Sequence, residues 1–265
     1  MQKEILRNQE LKKQKTEMAD AHCHLDLIEH KSFAEFISYG VRTLITNGID
    51  TKSNLETLNI SDNKNIFPTL GVDPQFALII SDDELNFNIK LAKDNLSRIV
   101  AIGEIGLDFI IAENDSKKQK QIRIFEKMLD LAADTNLPVS IHSRNSIKEV
   151  MSILEAKKMK KVHFHFFEGS LQDIDYIKKN NYMISVPPQP SARRMQVIKE
   201  LPISNIMVES DAPAASKSPI YVENAIKMVS EIKGIDFERA AQIITANTKI
   251  FFNTKNKSNL NSLRK

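Results

Sequence analysis

Short apolar runs rich in β-branched residues recur along the chain, and between them hydrophobic positions fall at helical spacing. Eight runs read as strands: residues 18–24, 41–47, 66–71, 98–104, 138–142, 162–165, 182–186 and 206–209. The segments between them are amphipathic. In residues 116–134, Ile122, Phe125, Leu129 and Ala132 follow a 3, 4, 3 spacing along one face. Residues 145–158 repeat the pattern with Ile147, Val150, Met151 and Leu154, and residues 235–252 predict a last helix. Strand alternating with helix predicts parallel strands joined by right-handed crossovers. Eight such units in roughly 250 residues match a closed barrel. A doubly wound open sheet shares the alternation, but the count of eight favours an α/β fold with a single (β/α)₈ TIM-type barrel.

Composition adds bounds rather than direction. The chain has 265 residues, 42% hydrophobic and 27% charged, enough for one well-buried core. Its formal charge of +3 is unevenly spread: residues 1–15 carry +3 and residues 255–265 carry +4, which leaves the body at −4. Net charge is therefore poor evidence for a nucleic-acid partner. The expected organisation is a charged arm over residues 1–16, a barrel over 17–253 and a basic tail over 254–265. A single cysteine, Cys23, excludes an intrachain disulfide and fits a reducing compartment. The polar start is no secretory signal, and no run approaches the roughly 18 apolar residues of a membrane span. The expectation is a cytoplasmic protein, monomeric or a small homo-oligomer.

Histidines and acids punctuate the same end of these runs. His22 and His24 close the first, two residues apart and so on one strand face, with Asp20 below them. Glu104 closes the fourth, His142 the fifth and His165 the sixth, and Asp211 follows the eighth. Each alone is weak: a lone histidine is more often a hydrogen-bonded core residue, and a lone acid a loop residue. Together they gather four imidazoles and two carboxylates at the carboxyl ends of strands, where barrel enzymes place their chemistry. Six mixed ligands exceed one tetrahedral zinc with an open position and suit two divalent ions sharing a carboxylate. His163 lies one layer deeper and reads as structural, as does Cys23, which faces away from the histidines. Glu209 shares a face with Asp211 and reads as a supporting acid. Arg144, two residues past His142, is a phosphate contact or a surface ion pair. Lys217, Arg193 and Arg194 are weaker candidates. Phe166 and Phe167 either stack a base or pack the barrel mouth.

The segments Asp20-Ala-His-Cys-His-Leu, Gly103-Glu-Ile-Gly-Leu-Asp, Leu137-Pro-Val-Ser-Ile-His-Ser-Arg, His165-Phe-Phe-Glu-Gly and Glu209-Ser-Asp-Ala-Pro resemble, in order and spacing, the TatD family of metal-dependent deoxyribonucleases. The likeness spans about residues 18–252 and implies a (β/α)₈ barrel. It implies that His22, His24 and Asp211 hold one ion, that His142 and His165 hold a second, and that Glu104 bridges them. The ions implied are Mg²⁺ or Mn²⁺, with Zn²⁺ as a third candidate. Three stretches depart from the family pattern. Gly71-Val-Asp73-Pro74 places an acid where the family usually has a substrate-side histidine. Phe109 to Glu113 replace a tyrosine and basic residues, and the loop after Pro213 is shortened. Asp73 and Arg144 are thus the substrate-side candidates.

The expected activity is hydrolysis of a phosphodiester in nucleic acid, most simply DNA. Asp211 would orient the attacking water and take its proton, and Glu104 would hold the metal pair. The alternative keeps the metals and changes the substrate to an amide or ester, as in an aminoacyl-tRNA deacylase. Asp73 and the missing basic loop favour it. A non-enzymatic binding protein with a degenerate site is the third reading, and six intact ligands speak against it.

Overall fold

In the computed structural model, residues 16–255 are described. The expected arm and tail fall outside them, apart from their innermost positions. Eight parallel strands form one sheet in sequential order. They are β1 (Met18–Cys23), β2 (Val41–Asn47), β3 (Ile66–Val72), β4 (Ala101–Asp108), β5 (Val139–Arg144), β6 (Val162–Phe164), β7 (Met183–Val186) and β8 (Ile206–Val208). Helices alternate with them: α1 (Phe33–Tyr39), α2 (Thr51–Ile60), α3 (Pro74–Ala77), α4 (Asp82–Asp94), α5 (Asp115–Thr135), α6 (Ile147–Ala156), α7 (Leu171–Asn180), α8 (Ala192–Glu200), α9 (Val222–Lys233) and α10 (Phe237–Phe251). This is the (β/α)₈ barrel that the pattern predicts. No helix among the described residues is long and apolar enough to cross a membrane.

Local chemistry sets the boundaries. The Asn114 side chain accepts from the Lys117 N–H at the start of α5, and Asn136 ends that helix at φ 54°. Both are positions where asparagine satisfies backbone groups that the helix leaves open. Apolar strand residues such as Leu70, Ile102, Ile141, Phe164 and Val208 pack against the helices in one large cluster. A smaller cluster, with Ile45, Phe67, Met183, Met207 and Phe252, packs separately from it. Phe252, just past α10, lies edge-on to His163 with ring centroids 5.7 Å apart.

Two strand boundaries correct the sequence reading. The fourth strand starts at Ala101 rather than Arg98 and runs past Glu104 to Asp108, so Glu104 lies within it. The sequence pattern ends the strand at Glu104, between two glycines that β4 passes through. A Cβ on Gly103 would stand 2.7 Å from that of Ser140, and one on Gly106, at φ 142°, would stand 2.0 Å from the His142 carbonyl oxygen. Glycine is there because the neighbouring strand is too close for a side chain. The fifth strand likewise continues past His142 to Arg144.

The barrel closes between β8 and β1 through residues beyond the last strand. The Asp211 N–H donates to the His22 carbonyl at 3.0 Å, and the His24 N–H donates to the Ala212 carbonyl at 2.8 Å. Below this seam Asp20, fully buried, accepts from the Ser210 N–H at 3.0 Å, the Ser210 hydroxyl at 2.5 Å and the His22 N–H at 3.2 Å.

Candidate metal centre

Strand geometry brings all six predicted ligands together. The residues His22 and His24 come from the end of β1, Glu104 from β4, His142 from β5, His165 from just past β6 and Asp211 from the turn after β8. Around one oxygen of Glu104, Oε2, the His22 Nε2 stands at 3.2 Å and the His24 Nε2 at 3.6 Å. Those two nitrogens are 3.3 Å apart. The Asp211 Oδ1 lies 3.4 Å from the His24 Nε2 and 3.9 Å from that of His22. Around the other oxygen, Oε1, the His142 Nδ1 stands at 3.1 Å and the His165 Nε2 at 3.2 Å, with those nitrogens 3.1 Å from each other. The Glu104 carboxylate therefore faces two separate donor groups, one per oxygen.

These spacings fit divalent cations. Ligand atoms bound tetrahedrally at about 2.0–2.1 Å lie roughly 3.3–3.4 Å from one another, close to the separations here. The donors include nitrogen facing nitrogen, an arrangement that repels unless a proton or a cation sits between. His24 Nδ1 donates to the Asn47 carbonyl at 2.9 Å, which leaves its Nε2 to point inward. His142 Nε2 is backed by Asp108 Oδ2 at 3.4 Å, and His165 Nδ1 by Glu209 Oε1 at 3.8 Å. The His22 Nδ1 is buried without a partner, and its ring stacks on that of His165 with centroids 4.0 Å apart.

The electrostatics agree. Burial opposes charge on His24, yet Asp211 and Glu104 outweigh it and raise its pKa to about 9. Burial likewise opposes charge on His165, and Glu104 raises its pKa well above the usual range. Against burial, the His165, His142 and His22 rings hold Glu104 well below the ordinary glutamate value. The acids thus favour positive charge on His24, His142 and His165, whereas burial and the neighbouring His165 lower the pKa of His22. Below it, burial raises Asp20 to about 8 in spite of its bonds to Ser210. One layer deeper, His163 is fully buried between Ser140 at 3.1 Å and Ser185 at 2.6 Å, as its structural reading requires. Cys23 is also buried, its thiol against the Ile45 carbonyl at 3.4 Å.

A cavity of about 820 Å³ opens beside the cluster, lined by His142, His165 and Asp211 on one side and by Phe109, Arg144 and Phe166 among others. Arg144 is 57% exposed, and its Nε pairs with Asp108 at 3.0 Å, so it is both an ion-pair partner and a cavity residue. Arg193 lines the cavity too, whereas Arg194 is buried beneath it. Asp73 is not among the lining residues. It caps α3 by accepting from the Phe76 N–H at 2.6 Å, and burial together with the charge of Glu104 pushes its pKa up to about 7. Sequence reasoning passed over Asp108, which supports both His142 and Arg144. It is the register partner of Arg144, a relationship visible only once β4 is known to run past its glycines.

A sequence profile of the TatD related DNase family matches residues 19–253, and the chain belongs to that family of metal-dependent hydrolases. It is 26% identical to human deoxyribonuclease TATDN3, over 89% of this chain and 94% of that one. It is 29% identical to an uncharacterised metal-dependent hydrolase of Methanocaldococcus jannaschii, over 88% and 96% of the two chains. Among solved structures, the TatD homologue YjjV of Escherichia coli superimposes with a TM-score of 0.80 at 25% identity, covering 89% of this chain and 98% of that one.

Proposed function

We propose that this hydrolase cleaves phosphodiester bonds in nucleic acid, with DNA as the substrate, using two divalent ions held on either side of Glu104. His22, His24 and Asp211 would hold one ion and His142 and His165 the other, with Glu104 shared. The observation that carries this reading is the division of the Glu104 oxygens between two donor groups. Mg²⁺ or Mn²⁺ fits the carboxylates and Zn²⁺ the imidazoles. Bound there, the ions would supply positive charge that polarises a phosphoryl oxygen and acidifies the attacking water.

The chain's own residues do the rest. Asp211 lines the cavity, and against burial His24 and His22 hold its pKa below the usual aspartate value. It orients the water and accepts its proton as the water oxygen bonds to phosphorus. The bond from phosphorus to the leaving oxygen breaks, and that oxygen takes a proton from solvent. Arg144, Lys148 and Arg193 line the cavity as phosphate contacts. Of the other acids lining it, Glu168 is engaged by Arg194 and Ser191 and Asp173 by Ser170, while Glu149 is exposed to solvent. The name of human TATDN3 as a deoxyribonuclease supports this substrate class.

Asp73 favours a second reading, hydrolysis of an amide or ester such as an aminoacyl-tRNA, because it brings an acid near the cluster. Its place outside the cavity lining weighs against that reading. The test is Glu104→Gln, which keeps the shape and removes the charge. It should lower Mn²⁺-dependent cleavage of single-stranded DNA by at least 100-fold with the circular dichroism spectrum unchanged. Undiminished cleavage would exclude the reading.

A further inference from the structure

Three strand ends around the cavity turn through the left-handed backbone region. Asn145 (φ 54°) follows β5, Phe166 (φ 48°) follows β6 and Asp211 (φ 46°) follows β8. Asparagine and aspartate enter that region at modest cost. A bulky ring seldom does, and such a conformation persists where the surrounding contacts over-determine it.

Phe166 is held in this way. The Arg194 guanidinium lies 5.1 Å from its ring centroid. Arg194 is itself only 3% exposed, pairs with Glu168 at 3.3 Å and donates to the Gln189 carbonyl. Its charge is therefore fixed behind the ring rather than offered to the cavity. The ring of Phe166 is half-buried and lines the cavity, 6.5 Å from the His165 ring, centroid to centroid. Phe167, the next residue, is 1% exposed and packs edge-on to Phe164 at 5.9 Å. Of these two phenylalanines, only Phe166 faces the cavity.

We propose that Phe166 is the stacking platform for a planar ring carried by the substrate, a nucleobase, seated in the cavity beside the histidine and carboxylate cluster. The proposal rests on the phosphodiester reading above. A nucleobase presents a flat π-face, and stacking on an aromatic side chain tolerates any base. The cavity volume of about 820 Å³ accommodates a ligand of nucleotide size. Arg144, Lys148 and Arg193 stand in the same cavity to meet the phosphate. Because Phe166 directly follows His165 in the chain, a base on its ring lies next to the cluster where that phosphate would react.

Isothermal titration of the Mn²⁺-loaded protein with two probes tests this: dAMP and 2-deoxyribose 5-phosphate, which share the phosphate and differ in the base. In the parent protein dAMP should bind roughly 5- to 150-fold more tightly, the range that one stacked base supplies. In Phe166→Ala that ratio should fall to about one, and in Phe166→Trp it should persist, because indole offers a larger face. Equal affinities in the parent, or a ratio that survives in Phe166→Ala, would overturn the stacking assignment while leaving the phosphodiester reading intact. A ratio lost in the tryptophan variant as well would also overturn it. Binding of neither probe would overturn the phosphodiester reading and the platform with it.

Discussion

The backbone N–H of Asp211 donates to the carbonyl oxygen of His22 at 3.0 Å, so the seam that closes the barrel passes through two members of the candidate metal centre. Closure of the fold and assembly of the site are one event at this point. Asp20 secures it from below, through Ser210 and the His22 N–H. Replacing Asp20 with alanine leaves these buried donors without an acceptor, at about 1–3 kcal/mol. The melting temperature should fall by roughly 2–12 °C for a domain of this size, and Mn²⁺ affinity measured by titration should fall with it. An unchanged melting temperature would show that the seam does not depend on this acid.

A second prediction concerns pH. Asp73 titrates at about 7 in the folded, ion-free protein because burial and Glu104 disfavour its charge. The folded state therefore holds this proton more tightly than the unfolded chain does. Its contribution to stability is full below the unfolded value of about 4 and is lost as pH rises through about 7. An asparagine in its place keeps a capping oxygen for the Phe76 N–H and carries no charge. In chelator, Asp73→Asn should raise the melting temperature, and the gain should grow between about pH 4 and pH 7 and level off above that, because over this window the unfolded chain has lost the proton that the folded state still holds. A gain independent of pH would contradict this account of the carboxyl.

Asp108 supports the site at one remove. Its carboxylate stands 3.4 Å from His142 Nε2 and 3.0 Å from Arg144 Nε. Carboxylates behind metal-binding imidazoles orient the ring and raise its basicity, and their loss costs about 10- to 100-fold in affinity. Asp108→Asn should weaken binding of one of two Mn²⁺ equivalents by that factor and spare the other, as read by titration calorimetry. Equal weakening of both equivalents would mean that Asp108 acts on the whole cluster.

The sequence made the barrel and the candidate cluster legible for a specific reason. Histidines and acids that end apolar runs are costly unless satisfied, so His22, His24, Glu104, His142, His165 and Asp211 stood out against their neighbours. Partners that depend on register stayed hidden. The sequence pattern ends the fourth strand at Glu104, although β4 runs on through Gly106 to Asp108, and Asp108 was lost with that stretch. The split of the Glu104 oxygens between two donor groups, and the burial of Arg194 behind Phe166, are products of packing with no linear signature. For Arg144, the two readings of the sequence turn out to be compatible, since its Nε pairs with Asp108 while the residue lines the cavity.

The most direct measurement is an anomalous difference map from a crystal soaked in Mn²⁺. Two peaks should flank the Glu104 carboxylate about 3.5–4 Å apart, one against His22, His24 and Asp211 and the other against His142 and His165. A single peak remote from Glu104, or none at saturating Mn²⁺, would contradict the two-ion centre.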